Sequence, residues 1–202
     1  MNLAHNDIHL WLTTQKGLNT KAFLQQVLSS YLDLPPTQIR FAKTLNGKPY
    51  LKDRRLRTLQ FNVSHSHDAM VCAVSYGEAL GVDIEYPARK NRLDEISQRY
   101  FHPQEIQQLQ SISDEAQRRA LFFQLWTSKE AYIKAIGLTI GTASLDEVAF
   151  SYQNRQVHPL FNTPSTLHWH FHTLPWRDYL ITTALAHKAW HGIKPQLSLF
   201  EI

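Results

Sequence analysis

The spacing of apolar residues in the first quarter of the chain predicts a helix followed by a short hairpin. In TKAFLQQVLSSYLDL, residues 20–34, the side chains of Leu24, Val27 and Leu28 share one helical face, and a Pro-Pro pair ends the helix. The segments IRFAKTL and KPYL flank an Asn-Gly dipeptide, a combination typical of a β-hairpin. Three apolar runs then predict strands, in FNVSHS, AMVCAVS and ALGVDIEY.

After these strands the pattern becomes helical and then returns to strands. NRLDEISQRYF, HPQEIQQLQSI and DEAQRRALFFQLWTSKEAYIKAIG predict three helices, and Gly137 is a typical residue to end the last one. VAFSYQN, LHWHFHTL and YLITTALA predict strands, whereas the tail HGIKPQLSLFEI predicts no element. Helix followed by strands thus occurs twice, which predicts an α/β (α+β) fold with units at residues 1–80 and 81–202. No Gly/Ser linker separates the units, so we expect them to pack as one body.

Composition places the chain among globular proteins with a real core. It has 202 residues, of which 43% are hydrophobic, and a formal net charge of +4. No apolar run is long enough to span a bilayer, and the N-terminal residues lack the apolar core of a signal peptide, so we expect a cytoplasmic protein. The single cysteine, Cys72, rules out an internal disulfide framework and a Cys-rich zinc site.

Positive charge is concentrated in the segment GKPYLKDRRLR. Its five basic side chains stand against one acid, Asp53. They are Lys48, Lys52, Arg54, Arg55 and Arg57. Such a run is either a solvated loop or a surface on which an anionic partner docks.

Two acids alternate with apolar residues in GVDIE. On a strand, Val82 and Ile84 take one face, whereas Asp83 and Glu85 take the other. Two like charges on one face repel each other unless a positive group lies between them. The acids therefore form either the exposed face of an edge strand or part of a site for a hard cation such as magnesium, which prefers oxygen ligands.

A third acid, Glu130, lies on the aromatic helix WTSKEAYIKAIG. It shares a helical face with Trp126, four residues before it, and with Lys134, four residues after it. A carboxylate beside an apolar stripe needs a partner, because a buried unpaired charge is unfavourable. The spacing allows an intrahelical ion pair with Lys134 or a third metal ligand equally well.

Two histidine clusters raise a rival hypothesis, a zinc-dependent hydrolase. HSHD contains the pair His65 and His67, and HWHFH places three histidines on one strand face. The hydrolase pattern His-x-His-x-Asp-His is not met, because Asp68 directly follows His67. For the second cluster, the polar face of a strand whose other face carries Trp and Phe is the simpler interpretation.

Five motifs together resemble the 4′-phosphopantetheinyl transferase family, in its larger Sfp type. They follow one another between Asn46 and Gly141 as GKP, FNVSHS, GVDIE, RYFHPQE and WTSKEAYIKAIG. The resemblance implies a magnesium-dependent enzyme that moves the 4′-phosphopantetheine arm of coenzyme A to a serine of an apo acyl or peptidyl carrier protein, releasing adenosine 3′,5′-bisphosphate. It also implies a monomer with two similar helix-plus-antiparallel-sheet halves related by a pseudo-two-fold axis, and coenzyme A between them.

The resemblance assigns the acids residue by residue. Asp83, Glu85 and Glu130 match the magnesium ligands of the family. Glu105 matches a proposed general base, which acts directly or through water. These types suit phosphoryl transfer, because magnesium neutralises a diphosphate and a carboxylate can accept the proton of the serine.

The resemblance also assigns the residues that hold coenzyme A. Lys134 matches the lysine on the diphosphate, and Lys129 matches a lysine near the same phosphates. Lys48, Ser64 and His65 match residues that hold the adenosine and its 3′-phosphate. The nucleotide contacts thus fall in residues 1–80, and the metal ligands, base and diphosphate lysines fall in residues 81–202.

The N-terminal stretch departs from the family, whose members often carry several basic residues there. TTQKGLNTKAF offers only Lys16 and Lys21, and Lys21 is either the substitute for an arginine on the 3′-phosphate or a surface lysine at the start of the first helix. The basic run KDRRLR is a candidate surface for the acidic helix expected of carrier proteins. A non-catalytic binder of carrier proteins or nucleic acid would use the same run, but no aromatic-rich nucleic-acid motif accompanies it. We therefore expect neither nucleic acid nor membrane as a partner.

Overall fold

The computed structural model describes residues 1–4, 7–77, 79–89, 92–153, 156–161, 167–187 and 195–202. Within these ranges the helices are α1 (Thr20–Ser29), α2 (Leu93–Tyr100), α3 (Pro103–Gln110) and α4 (Glu115–Ala135). The first six strands are β1 (Ile8–Thr13), β2 (Phe41–Lys43), β3 (Pro49–Leu51), β4 (Gln60–Ser66), β5 (Ala69–Ser75) and β6 (Ala79–Glu85). The later strands are β7 (Phe150–Gln153), β8 (Gln156–Pro159), β9 (His168–Trp176), β10 (Tyr179–His187) and β11 (Leu197–Glu201).

Local capping fixes where the helices begin and end. Asn19 starts α1 by accepting a hydrogen bond from the backbone N–H of Ala22. The helix stops at Ser29, five residues before its predicted end, where the N–H groups of Ser30 and Tyr31 bond three residues back and tighten the turn. After α4 comes Gly137 with φ 78°, which confirms the glycine stop. Residues 91, 154 and 191–194 of the predicted segments lie outside the described residues.

Two sheets share one strand order. In the first sheet β1 pairs with β5, and β5 pairs with β4, both antiparallel. In the second sheet β6 pairs with β10, and β10 pairs with β9, again antiparallel. Each unit therefore places its last antiparallel strand in the middle. The mixed helix-and-sheet class predicted from the sequence is confirmed.

The C-terminal tail crosses back to the first sheet, which the sequence did not predict. Strand β11 lies parallel to β1, with Leu199 opposite Leu10 and Phe200 opposite Trp11. The tail, for which the sequence indicates no definite element, thus forms a strand over residues 197–201. A run of only five residues is too short for its periodicity to distinguish a strand from a turn or a short helix.

The core lies between the two sheets and continues under the helices. Apolar side chains of β1, β5, β6 and β10 meet in one buried cluster. Helix α1 covers the outer face of the first sheet, and α4 packs against β6 and β10 of the second. In the part of the chain that the structure describes, every helix is too short or too polar to cross a membrane. Strand β4 lies beside β6 where the two units meet.

Candidate functional site

The predicted metal ligands come together where β4, β6 and α4 meet. Asp83 and Glu130 are 4% and 7% exposed, and Glu85 is partly buried at the end of β6. Helix α4 approaches β6 closely because Gly81 has no side chain: a Cβ there would stand 1.9 Å from the carbonyl oxygen of Ala131. The alternation of side chains along β6 places Asp83 and Glu85 on the same face of the strand. The close packing of α4 on β6 brings Glu130 near that face.

Lys134 lies among these carboxylates. Its Nζ is 2.6 Å from Asp83 Oδ1 and 3.9 Å from Glu130 Oε2. Lys134 also donates to Ser64 Oγ at 2.9 Å, and Ser64 in turn donates to Asp83 Oδ1 at 2.9 Å. Burial alone would lower the pKa of Lys134, but Asp83 and Glu130 outweigh it and raise the pKa. The lysine predicted to bind the diphosphate thus neutralises the acids here.

Glu85 is held by two neutral donors, one from each side. Ser66 Oγ donates to Oε2 and Trp126 Nε1 donates to Oε1, both at 3.2 Å. Burial raises the pKa of Glu85, and the nearby charge of Asp83 raises it further, while the two hydrogen bonds oppose the shift. Strand β4 therefore supplies a serine to each of the acids on β6, since Ser64 and Ser66 are two residues apart and share a face.

The carboxylate oxygens of these acids are the type of ligand that a hard cation prefers. Asp83 Oδ2 and Glu130 Oε1 are buried oxygens without a hydrogen-bond partner in the structure, which is unfavourable unless a positive ligand binds there. Burial, reinforced by Asp83, raises the pKa of Glu130 to about 7. No described set of three or more His, Cys, Asp or Glu side chains is close enough to chelate a metal. A cation would thus have to draw these oxygens together in place of Lys134.

A cavity of about 700 Å³ opens on the other side of Lys134. Its described lining contains no Asp or Glu but five basic side chains, from Lys21, Arg40, Lys43, Lys48 and Lys134. His65 lines it as well, whereas Ser64 lies at the carboxylates instead. The cavity is therefore suited to a ligand with several negative charges.

Sequence reasoning missed Arg40 and Lys43 in this cavity. Both belong to the segment IRFAKTL, whose pattern indicates only a strand of the hairpin. The register of the hairpin places Lys43 opposite Pro49, next to Lys48 of the GKP motif. That register was the available signal, because cross-strand neighbours of a binding motif share its surface.

Lys48 joins the two units at the edge of the cavity. Its Nζ donates to the carbonyl oxygens of Leu80 at 3.0 Å and Ala135 at 2.9 Å. Burial lowers the pKa of Lys48 to about 8. Asn46 makes a similar link, donating to the carbonyl oxygen of Gly137. The hairpin that contains GKP is thus anchored on the end of α4 and on β6.

Glu105 and Lys129 lie apart from this cluster. Both are fully buried, and they pair with each other at 2.7 Å. Neither lines the cavity of about 700 Å³. The structure therefore does not bring the predicted base and the second predicted phosphate lysine to the other site residues.

Part of the basic loop is occupied by local contacts. Arg55 pairs with Asp53 at 2.7 Å, and Arg57 lies over the ring of Tyr50 while donating to the carbonyl oxygen of Leu51. Arg54 is exposed. The loop presents positive charge to solvent, but several of its side chains also stabilise the loop itself.

Comparison with known proteins gives matches along most of the chain. Residues 79–184 match a family model described as the 4′-phosphopantetheinyl transferase superfamily, and residues 13–77 match one described as 4′-phosphopantetheinyl transferase, N-terminal. The 4′-phosphopantetheinyl transferase HetI of Nostoc sp. is 37% identical over 72% of this chain and 60% of its own length. The putative 4′-phosphopantetheinyl transferase slr0495 of Synechocystis sp. is 35% identical over 80% of this chain and 65% of its own length. The chain thus spans less than two thirds of these relatives.

Proposed function

Because the chain belongs to the 4′-phosphopantetheinyl transferase superfamily, we propose that it transfers the 4′-phosphopantetheine arm of coenzyme A to a serine of an apo carrier protein. The products are the holo-carrier protein and adenosine 3′,5′-bisphosphate. The observation that carries this proposal is the basic cavity, which has no acid in its described lining and ends at Lys134 beside three carboxylates. Such a cavity suits a nucleotide whose diphosphate reaches a cation site.

The nucleotide part of coenzyme A occupies the cavity in this proposal. Lys21, Arg40 and Lys43 contribute the positive charge that the 3′-phosphate requires, which replaces the basic residues lacking in the N-terminal stretch. His65 contacts the same end of the ligand. Lys48 acts mainly by holding the hairpin against β6 and α4, since its ammonium group already donates to two carbonyls.

The diphosphate lies between the cavity and the carboxylates. Asp83, Glu85 and Glu130 would hold a magnesium ion, and the buried oxygens of Asp83 and Glu130 that have no partner among the described residues support this assignment. Magnesium supplies charge neutralisation for the diphosphate. Lys134, released from Asp83, would bind a diphosphate oxygen, and Ser64 and Ser66 would keep the acids in position.

In the reaction the serine oxygen of the carrier forms a bond to the β-phosphorus. The bond from that phosphorus to the oxygen bridging to the α-phosphate breaks, and the bridging oxygen leaves with the electron pair as part of adenosine 3′,5′-bisphosphate. Positive side chains near this oxygen stabilise the leaving group. The proton of the serine passes to solvent water or, as the family resemblance suggests, to Glu105. Because Glu105 is fully buried, its role is tested separately.

Intact-mass spectrometry of an apo acyl carrier protein tests the function directly. We expect that the chain, coenzyme A and magnesium add the mass of one phosphopantetheine arm, and that EDTA abolishes the gain. Zinc-dependent hydrolysis without any gain in mass would favour the hydrolase hypothesis, and binding without transfer across a panel of apo carrier proteins would favour the non-catalytic binder.

A pair of matched variants tests the metal assignment. Asp83→Asn keeps the size of the side chain but removes the charge, so transfer should fall at least 100-fold while the protein stays folded. Glu147→Gln removes an exposed carboxylate away from the cluster and should transfer normally. Equal rates for the two variants would exclude Asp83 as a metal ligand.

A further inference from the structure

The buried pair of Glu105 and Lys129 has a different role from the one that the family resemblance gives it. We propose that the pair positions α4, and through it Glu130 and Lys134, and that neither member takes part in proton transfer or binds the diphosphate. The inference rests on the proposed function, because it concerns how the transferase site is held in place. Its evidence is the set of contacts that the two side chains make.

Both oxygens of Glu105 are fully engaged inside the protein. Oε2 accepts from the backbone N–H of His102 at 2.8 Å and lies 2.7 Å from Lys129 Nζ. Oε1 accepts from the backbone N–H of Phe150 at 2.9 Å. A base in this position would have to leave three donors and a fully buried site to meet the serine. The N–H groups of His102 and Phe150 would then lose their acceptor, and Lys129 would lose its counter-charge.

Lys129 is equally enclosed. Its Nζ donates to the carbonyl oxygens of Leu145, at 2.7 Å, and of Val148. With Glu105, these bonds use all three ammonium hydrogens. Burial alone lowers the pKa of Lys129 and raises that of Glu105, and each charge opposes the shift of the other. The ammonium group has no hydrogen left for a phosphate.

The pair ties three segments together at one point. Glu105 lies in the first turn of α3 and Lys129 lies on α4. Apart from His102 at the start of α3, their partners lie in the segment 145–150, at the start of β7. Glu130 follows Lys129 directly, about 100° further around the helix. Fixing the direction of Lys129 on α4 therefore also fixes the direction in which Glu130 points.

Contacts on the opposite face complete this support. Ala131 of α4 packs on Gly81 of β6, and Thr127 Oγ1 lies 2.7 Å from Thr182 Oγ1 of β10. These contacts set the distance of α4 from the sheet. The buried pair sets its rotation, so that both must be present for Glu130 to face Asp83.

Amide hydrogen exchange of the unmodified protein tests the proposal first. The N–H groups of His102 and Phe150 report on the carboxylate of Glu105, since both donate to it. Exchange is followed by NMR with and without coenzyme A and magnesium, with binding confirmed by calorimetry. We expect both amides to be protected equally in the two states. Exchange at least tenfold faster with the ligands bound would show that Glu105 leaves its place, and would overturn the proposal.

A double variant provides the second test. Glu105→Gln leaves the ammonium group of Lys129 without its counter-charge. Lys129→Met leaves the carboxylate of Glu105 without its counter-charge. The double variant removes both charges. Studied at a temperature where each is folded, the single variants should bind Mn²⁺ at least tenfold more weakly and turn over more slowly. The double variant should recover at least tenfold in turnover over the slower single variant.

The two hypotheses for Glu105 differ in this experiment. A general base predicts that the double variant stays as slow as Glu105→Gln, while the affinity for Mn²⁺ is that of the unmodified protein; this result would overturn the positioning role. If the variants do not fold, the exchange experiment decides. The mass assay on apo carrier proteins reports on the proposed function, so failure of transfer is distinguished from failure of this inference.

Discussion

Asp83 and Glu130 carry the chemistry of the site at the scale of single side chains. Both are buried, each has one oxygen without a partner among the described residues, and both approach the same ammonium group of Lys134. Neutral donors from Ser64 and Ser66 keep the acids on β6 in place without cancelling their charge. The result is a negative site whose charge depends on pH.

The first prediction concerns the affinity of the protein for metal. Glu130 has a pKa of about 7, so a proton competes with a divalent cation below that pH. We expect the affinity for Mn²⁺, measured by calorimetry, to rise about tenfold per pH unit between pH 5 and pH 7 and to level off above. Glu130→Gln should bind weakly with little dependence on pH, and an unchanged slope in that variant would contradict the assignment.

The same raised pKa has the opposite effect on the folding of the metal-free protein. A carboxyl group with a higher pKa in the folded state stabilises the fold while it is protonated, and this contribution is lost as pH rises through about 7. Urea unfolding should therefore show that Glu130→Gln gains stability relative to the unmodified protein at pH 8 and much less at pH 5. A gain of the same size at both values would disprove the coupling.

A third prediction concerns the 3′-phosphate of coenzyme A. Lys43→Ala removes one cation from the cavity, so the preference for coenzyme A over its 3′-dephospho form should fall roughly tenfold. Lys52→Ala is the control, since Lys52 lies on the same hairpin but outside that cavity. The comparison uses the dissociation constants of both ligands for both variants. Equal losses for the two ligands would show that Lys43 does not contact this phosphate.

At the scale of elements, the contact between α4 and β6 decides whether the acids converge. A helix that carries Glu130 and a strand that carries Asp83 form a site only when their backbones approach closely. Gly81 permits this, because a side chain there would overlap the carbonyl oxygen of Ala131 and the N–H of Ala135. The hairpin residue Lys48 then fixes the end of α4 by bonding to Ala135.

Gly81→Ala should separate these elements. The added methyl group meets backbone atoms that cannot move aside singly, so we expect a loss of about 1–3 kcal/mol in the free energy of unfolding. Affinity for Mn²⁺ should weaken as well, because Glu130 moves away from Asp83. Gly141→Ala is the matched control, since a Cβ there meets no atom within 4 Å. The idea fails if both variants bind Mn²⁺ equally well.

At the scale of the whole molecule, two units with the same strand order enclose the basic cavity. Segment 40–57 of the first unit carries seven Lys or Arg residues and one Asp, and it forms much of the wall. The second unit supplies the acids and Lys134. The units are joined at the seam of β4 and β6, and again where β11 returns to β1.

The return of the C-terminal strand should contribute measurably to stability. The ring of Phe200 stacks on Trp11 with the centroids 4.8 Å apart. Phe200→Ala should lower the free energy of unfolding by about 2 kcal/mol, because this contact is partly buried. Leu199→Ala, on the same strand but 44% exposed, should change it by about 0.5 kcal/mol or less. Equal effects in denaturant titrations would mean that β11 does not pack as described.

The sequence by itself determined what depends on local periodicity and on the family motifs. The alternation in GVDIE places Asp83 and Glu85 on one face of a strand, and the helical spacing brings Glu130 within reach of Lys134. The long helix with its glycine stop and most of the strands followed from the same rules. Backbone geometry fixes these relations over a few residues, whatever the rest of the chain does.

Only the tertiary structure decided which side chains meet across elements. It placed Ser64 beside Asp83, added Arg40 and Lys43 to the cavity, and enclosed Glu105 with Lys129. It also paired the C-terminal strand with β1. Each of these contacts joins residues that are far apart in the chain, and long-range packing of the two units, rather than any local pattern, brings them together.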